Sequence, residues 1–216
     1  MTLDATTRAP KTLLIACGAL AREVLMLIEA NKWEHFELVC LPASLHNRPE
    51  RIPDAMREKI HEHRSNFDNI VALYGDCGTG GLLDVVLREE GVERIHGAHC
   101  YEFYTGTVPY EKIVEQELGS FYLTDFLVRQ FDTLIMKGMG IDKHPELLSM
   151  YFGNYKRLVY LAQIDDPALQ EQAKEAAGKL GLDYEYVFTG LNEFSDFLEK
   201  QNPSSPALST LPHEEA

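Results

Sequence analysis

The sequence lacks an apolar run of about 18 residues, so no transmembrane helix is expected. Residues 1–11 are polar and contain no apolar core of a secretory signal. Positive charge is also scarce, because 20 Lys and Arg residues accompany 34 Asp and Glu residues and the formal net charge is −14. Such a surface repels phosphate backbones and anionic lipids, so we expect no nucleic acid and no membrane partner. We expect a cytoplasmic protein.

Cysteine is rare as well, and the four cysteines have no paired zinc-finger spacing. In a reducing compartment they are expected to be thiols, ligands or nucleophiles rather than disulfides. The chain also lacks a GxSxG motif, a dinucleotide-binding GxGxxG and a phosphate-binding GxxxxGK[ST]. We therefore predict neither a serine hydrolase nor an NAD or ATP site.

What the sequence does contain is an alternation of short apolar runs and amphipathic stretches. This pattern predicts an α/β protein of parallel sheets covered by helices, built from Rossmann-like units in two or three pseudo-repeats. Strands are predicted over residues 12–17, 36–40, 69–74, 94–96, 157–162 and 184–188, and helices over residues 19–32, 52–64, 82–90 and 167–179. Residues 109–155 are predicted to be mostly helical.

A repeat supports this organisation. Cys-Gly follows a predicted strand at residue 17 and again at residue 77, and the same offset of 60 positions relates Cys40 to Cys100 (77 − 17 and 100 − 40). We divide the chain into a disordered start (1–10), duplicated strand–helix units that carry the cysteines (11–108), a helical segment plus a third α/β unit (109–200) and a disordered tail (201–216).

The cysteines are the candidate ligands. All four lie at or just past predicted strand ends, where parallel sheets bind their ligands and where helix N-termini favour the thiolate form. We predict a metal centre that comprises Cys17, Cys77 and Cys100, with His46 as the fourth ligand. Thiolate together with imidazole suits zinc, which we expect first, while three sulfurs also suit a [4Fe-4S] cluster. Buried, inert thiols are the alternative reading.

Other residues near these cysteines are candidates for chemistry and cofactor binding. His99 is predicted to transfer protons, with Asp76 or Glu102 to orient a histidine. Gly75, Gly78 and Gly80 belong to a glycine-rich loop that is predicted to approach a cofactor or an anion. The alternative for this loop is a tight turn.

Several short motifs occur in order over residues 11–131, and together they resemble the uncharacterised family called domain of unknown function 1638. They lie at residues 17–18, 45–49, 74–78 and 119–124, together with Cys100 and Gly106. The family often has Asp before the last cysteine, where this chain has His99. The resemblance implies an association with corrinoid-dependent methyl transfer. The architecture is also similar to quinolinate synthase, which holds an iron–sulfur cluster between three such units, although the third unit here has no cysteine.

The first functional hypothesis is a zinc- or iron–sulfur-dependent, methyltransferase-type metalloenzyme in methyl or one-carbon transfer, with a small-molecule substrate or methyl donor. The alternative is a non-catalytic accessory or delivery protein for a corrinoid or metal-dependent methyltransferase system, with a corrinoid protein as its partner. The third is a structural protein with inert thiols. The sequence does not identify the substrate or the oligomeric state.

Overall fold

The protein contains two parallel β-sheets within residues 10–201, the part of the chain that this computed structural model describes. The first sheet comprises β1 (Thr12–Cys17), β2 (Phe36–Leu41), β3 (Asn69–Leu73) and β4 (Glu93–Arg94), in the spatial order β2-β1-β3-β4. All its pairings are parallel. β1 is buried at every position, as expected for a central strand that helices cover on both faces. The predicted α/β class is confirmed.

Helices connect these strands. α1 (Ala21–Asn31) leads from β1 to β2, α2 (Ile52–His63) from β2 to β3, and α3 (Leu82–Glu90) from β3 to β4. α3 ends at Gly91, whose φ of 62° is left-handed, a conformation that glycine adopts without steric cost. The predicted bounds of these helices differ from the observed ones by at most two residues.

The strands of the two strand–helix–strand units recur at a slightly shorter sequence offset than the cysteines do. β1 and β3 start 57 positions apart, as do β2 and β4 (69 − 12 and 93 − 36), whereas the cysteines recur after 60. Cys17 therefore ends β1, but Cys77 lies in the loop after β3. Likewise Cys40 lies inside β2, but Cys100 lies in the loop after β4. The cysteine repeat is thus not a repeat of equivalent structural positions.

The second sheet follows two helices, α4 (Glu102–Thr105) and α5 (Thr107–Gln116). It comprises β5 (Ser120–Thr124), β6 (Arg157–Ala162) and β7 (Asp183–Phe188), in that spatial order and all parallel. Between β5 and β6 lie α6 (Asp125–Arg129), a π-helical segment (Phe131–Lys137) and α7 (Leu147–Phe152).

The prediction that residues 109–155 are mostly helical is wrong at β5. Its five residues include two aromatics and a β-branched threonine, which suit a strand, but so short an apolar run has no period that separates strand from helix. Gly119 precedes the strand, and a Cβ there would lie 2.9 Å from the Asn154 carbonyl oxygen. The glycine is therefore needed where the chain enters the sheet.

The crossover helix of the second sheet, α8 (Pro167–Leu180), agrees with the predicted helix over residues 167–179. The Asp166 carboxylate accepts a hydrogen bond of 2.9 Å from the Ala168 N–H, and Pro167 occupies the first turn. Gly181 ends the helix with a φ of 71°. These are the start and stop signals that the sequence displayed.

Each sheet has its own hydrophobic core, and the last helix returns to the first one. α9 (Asn192–Lys200) buries Phe194 and Leu198 completely in the core of the first sheet. The predicted disordered start and tail lie outside the described residues, apart from Pro10 and Gln201. Among residues 10–201, no helix has both the length and the apolar character that crossing a membrane requires.

Candidate functional site

A pocket lies beyond the carboxyl ends of β1, β3 and β5, so both sheets contribute to it. Its cavity volume is about 40 Å³. Ligands of parallel α/β sheets bind at such places. Its lining includes Cys17, Cys77, Cys100, His46 and His99 from the first half of the chain, and Thr124, Phe126, Leu127 and Leu134 from the second half.

Cys17 is the last residue of β1, and the chain continues directly into a 3₁₀ turn (Gly18–Leu20) and α1. Its side chain is only 5% exposed. Hydrogen bonding to Cys100 lowers the pKa of Cys17 to about 7 in spite of burial, and the Ala19 N–H and the nearby Tyr74 hydroxyl act in the same direction. At neutral pH, thiol and thiolate therefore coexist at this position.

Cys77 Sγ lies 3.1 Å from Cys100 Sγ. Two backbone hydrogen bonds join their loops: the Asp76 N–H donates to the Gly97 carbonyl at 3.1 Å, and the Cys77 N–H donates to the Ala98 carbonyl at 2.8 Å. These bonds continue the contact between the β3 and β4 segments beyond the strands themselves. The backbone thus holds the two cysteines side by side.

The pKa values of the three cysteines are shifted in different directions. Hydrogen bonds to Cys17 and then to Cys77 raise the pKa of Cys100 well above its ordinary value. The hydrogen bond from Cys100 in turn lowers the pKa of Cys77. These shifts favour the protonated form of Cys100 and the thiolate forms of Cys17 and Cys77. Among the residues that line the pocket there is no Lys or Arg to balance this charge.

The backbone at Cys77 is unusual. Its φ is 49°, in the left-handed region that residues other than glycine rarely adopt, and Gly78 follows with a φ of 85°. Such a conformation costs about 1–3 kcal/mol and is concentrated at functional sites. Cys77 lines the pocket from this strained position.

Burial favours the neutral form of both histidines of the pocket. Burial lowers the pKa of His46, and the neighbouring His99 lowers it further. Burial also lowers the pKa of His99, although Glu102 and Asp76 oppose this effect. The His99 ring stacks on the Tyr101 ring with a centroid distance of 4.9 Å. Neutral imidazoles are available as hydrogen-bonding groups or as ligands.

The side chains do not form a coordination shell as they stand. Within residues 10–201, no set of three or more His, Cys, Asp and Glu side chains is arranged so that it could hold a metal ion. The sulfurs of Cys77 and Cys100 are hydrogen-bonded instead. Two thiolates on a tetrahedral zinc ion lie about 3.8 Å apart, so this pair would have to separate by about 0.7 Å to share one.

The carboxylate of Asp76 is engaged inside its own loop. It accepts hydrogen bonds from the Thr79 hydroxyl and from the N–H groups of Gly80 and Gly81, at 3.2 and 2.8 Å for the latter two. Burial would raise the pKa of Asp76, but these hydrogen bonds together lower it. Asp76 is not among the residues that line the pocket.

The glycine-rich loop consequently surrounds the carboxylate of Asp76, which belongs to the same loop. The Gly80 and Gly81 N–H groups, which an anionic ligand would need, point to Asp76. A Cβ on Gly78 would lie 3.6 Å from the Pro49 side chain, and Gly75 packs against the backbone of His99. The arrangement matches the tight turn that the sequence left open as the alternative.

Glu102 stabilises the loop segment that precedes it in the chain. Its Oε2 accepts a hydrogen bond of 2.8 Å from the Ala98 N–H, and the side chain is 6% exposed. It lines a separate depression with His96 and not the cysteine pocket. Its carboxylate shapes the loop that carries His99 and Cys100.

Cys40 is separate from the other three cysteines. It pairs with Ala16 within the first sheet and does not line the pocket. Burial, followed by the charge of Cys17, raises the pKa of Cys40, which favours the neutral thiol. It therefore provides a natural control for experiments on the cluster.

Sequence reasoning missed Tyr74 and the whole contribution of the second sheet. The Tyr74 hydroxyl lies in the pocket beside Cys17, is buried, and makes no hydrogen bond of acceptable geometry. Asn47 links the two halves, because its Nδ2 donates to the Leu134 carbonyl in the π-helical segment at 3.0 Å. Tyr74 directly follows a buried strand, which was the one available signal.

A family model described as "Protein of unknown function (DUF1638)" matches residues 40–198 of the chain. This range is most of the sequence. The chain belongs to the DUF1638 family. No curated protein of assigned function and no solved structure matches it.

The match begins after the motif at residues 17–18 and continues well past residue 131, where the range of the other motifs ends. It covers β3 and β4 of the first sheet and all three strands of the second sheet of this DUF1638 protein, and it contains Cys77 and Cys100. Cys17 lies before the matched range. The Cys77–Cys100 pair is therefore the part of the cluster that lies inside the family match.

Proposed function

We propose that this DUF1638 protein binds a thiophilic metal ion, zinc in the first place, through Cys17, Cys77 and Cys100, with His46 as the fourth ligand. The observation that carries the proposal is that three sulfurs, one from the end of β1 and two from separate loops, line one pocket whose described lining residues include no Lys or Arg.

Charge balance is the physical argument. Cys17 and Cys77 have lowered pKa values in a largely buried setting. A buried thiolate without a partner is costly, and protein sites balance such charge with a cationic side chain or with a metal. Since the pocket lining has no Lys or Arg, a bound cation would balance this charge. Loss of the Cys100 proton would accompany binding, because thiolates are the ligands.

Zinc is preferred to a cluster because two neutral histidines accompany the sulfurs. His46 and His99 both line the pocket, and burial lowers the pKa of each. Mixed sulfur and nitrogen ligands suit zinc, whereas a [4Fe-4S] cluster held by three cysteines is the alternative. An absorbance spectrum of protein purified without oxygen separates them, since a cluster is brown and zinc is colourless.

For the reaction, we propose that a methyl or one-carbon group passes from a methyl donor to the sulfur of a small thiol-containing molecule, while the donor leaves with the electron pair of the broken bond. A zinc ion in this site would supply Lewis acidity and, with a substrate thiol in place of His46 as the fourth ligand, would favour the thiolate form of that thiol. The chain's own residues have complementary tasks: His99 takes the substrate proton, and the Tyr74 hydroxyl donates a hydrogen bond to the bound molecule. The aromatic wall of Tyr101 and Phe126 excludes water from it.

A non-catalytic role as an accessory to a corrinoid or metal-dependent methyltransferase uses the same ligands. One observation favours it: Asp76 and Glu102 are both committed to hydrogen bonds that shape loops. Few acid–base groups then remain at the pocket. Incubation with a methylated corrinoid protein separates the roles, because tight association without methyl transfer indicates the accessory role and turnover indicates an enzyme.

Metal analysis of the whole chain tests the binding proposal. Wild type, Cys17→Ser, Cys77→Ser, Cys100→Ser and the control Cys40→Ser are each purified with and without oxygen. We expect about one zinc per chain in wild type and Cys40→Ser, and a loss in each of the other three. Absence of stoichiometric zinc and iron from wild type under both conditions would refute the proposal.

A further inference from the structure

We propose that Cys77 and Cys100 form a redox-active dithiol that a low-molecular-weight disulfide oxidises to an intramolecular disulfide. The geometry carries the proposal. Their sulfurs lie 3.1 Å apart, about 1 Å beyond the length of a disulfide bond. The backbone hydrogen bonds from Asp76 to Gly97 and from Cys77 to Ala98 already hold the two chain segments together.

The pairing is specific to these two cysteines. Both belong to loops and are only partly buried, whereas Cys17 ends a central strand and is 5% exposed. A bond between loop residues requires side-chain rotation and small loop shifts, while a bond to Cys17 would pull on the hydrogen-bonded end of β1. Cys40 lies outside the pocket and has no partner sulfur there.

The chemistry is an ordinary thiol–disulfide exchange. The Cys77 thiolate attacks one sulfur of the small disulfide, an S–S bond forms, and the first small thiolate leaves. Cys100 then attacks the Cys77 sulfur, the second small thiolate leaves, and the protons from the two cysteines pass to the two leaving thiolates. The dithiol loses two electrons and two protons, and one small disulfide is reduced to two thiols.

The consequence for the metal rests on the proposed function. A disulfide between Cys77 and Cys100 removes two of the three sulfur ligands and leaves Cys17 and His46. Two ligands do not hold zinc in a structural or catalytic site, which needs three or four from the protein. Oxidation would therefore release the ion, and reduction would restore the site.

The test begins with metal-free, fully reduced wild-type protein. It is treated with oxidised glutathione, its remaining thiols are alkylated, and disulfide-linked peptides are identified by mass spectrometry. We expect one dominant link between Cys77 and Cys100, with Cys17 and Cys40 alkylated, and its loss on treatment with a reducing agent. A dominant link through Cys17 or Cys40, stable glutathione adducts alone, or no link at all would overturn the proposal.

A second arm separates this proposal from the first one. The same treatment of zinc-loaded protein, with a chromogenic chelator present, is expected to release zinc in parallel with formation of the link. Cys40→Ser should behave as wild type. If the link forms but the protein never binds zinc, the metal proposal fails and the dithiol stands. If zinc binds but no link forms in the metal-free protein, the dithiol fails and the metal site stands.

Discussion

Gly75 packs directly against the backbone of His99: a Cβ on residue 75 would lie 2.8 Å from the His99 carbonyl carbon. No rotamer change can relieve this contact, because the opposing atoms belong to the main chain. The close approach of the two loops is what brings Cys77 next to Cys100. The glycine therefore positions the cysteine pair although it has no side chain of its own.

Replacing Gly75 with Ala is expected to push the loops apart. The forced shift should lower the free energy of unfolding by about 1–3 kcal/mol, the usual range for overpacking. It should also move the two sulfurs farther apart than the roughly 3.8 Å that a shared zinc ion requires, and so weaken zinc binding. Urea denaturation measures the first effect and metal titration the second.

Gly178→Ala is the matched control. Gly178 lies inside α8, and a Cβ there would contact no atom within 4 Å. Alanine is the better helix former, so we expect stability to rise by up to about 1 kcal/mol and metal binding to stay unchanged. Equal loss of zinc in both variants would contradict the positioning role of Gly75.

Asp125 supports the second sheet at its carboxyl end. Its buried carboxylate accepts hydrogen bonds from the Tyr160 hydroxyl at 2.7 Å and from the N–H groups of Gln163 and Ile164 at 3.0 and 3.2 Å. Asp125→Asn brings an NH₂ group against these donors, and we expect the free energy of unfolding to fall by about 2–4 kcal/mol. Urea denaturation measures it.

Asp132→Asn provides the comparison for that variant. Asp132 pairs with Lys179 at 3.0 Å, and its side chain is 67% exposed. Surface pairs of this kind contribute less than about 1 kcal/mol, so the variant should unfold almost as wild type does. Similar losses of unfolding free energy in both Asp variants would mean that the buried hydrogen bonds of Asp125 contribute no more to stability than the surface ion pair does.

Glu23 should make stability depend on pH. Its side chain is 3% exposed, Oε2 has no hydrogen-bond partner, and burial raises its pKa above the ordinary 4.5. The unfolded chain ionises first as pH rises, so stability falls between pH 4.5 and the higher folded-state pKa.

Glu23→Gln removes this dependence because its side chain stays neutral. The variant should match wild type at about pH 4 and become the more stable of the two as pH rises toward about 8. Denaturation at several pH values measures the difference. A difference that shrinks with rising pH would show that the folded protein favours the ionised carboxylate.

The thiolate at Cys17 should be visible in a titration of metal-free protein. Its pKa is lowered to about 7, chiefly by the hydrogen bond from Cys100, so thiolate absorbance should rise with a midpoint near 7. Cys100→Ala is expected to move that midpoint toward the ordinary value of 9.0, and Cys40→Ser should leave it in place. An unchanged midpoint in Cys100→Ala would show that Cys100 does not lower the pKa of Cys17.

Much of the fold could be predicted because elements of both sheets follow local signals. β1 is a continuous buried apolar run, and α8 carries a cap, a proline and a terminal glycine at the expected positions. β5 could not be predicted in this way, since a five-residue run has no distinctive period. The sequence likewise gave no sign of the π-helical segment or of the return of α9 to the first core.

The proximity of Cys17, Cys77 and Cys100 could be predicted from the sequence because parallel strands end at the same edge of a sheet. The roles of the nearby polar residues were harder to predict from the sequence. Whether Asp76 faces a ligand or its own loop depends on the left-handed turn at residues 77–81, which a pattern of residue types does not specify. The contribution of Thr124 and Leu134 depends on how the two sheets pack, which local patterns do not encode.

The central claim is that three sulfurs of this pocket hold one metal ion. X-ray absorption at the metal edge of the purified, metal-loaded protein tests it most directly, because the first shell reports the ligand atoms. The account predicts three sulfur scatterers at about 2.3 Å and one nitrogen at about 2.0–2.1 Å, with a sulfur lost in Cys77→Ser and none lost in Cys40→Ser. A first shell of nitrogen and oxygen alone would contradict it.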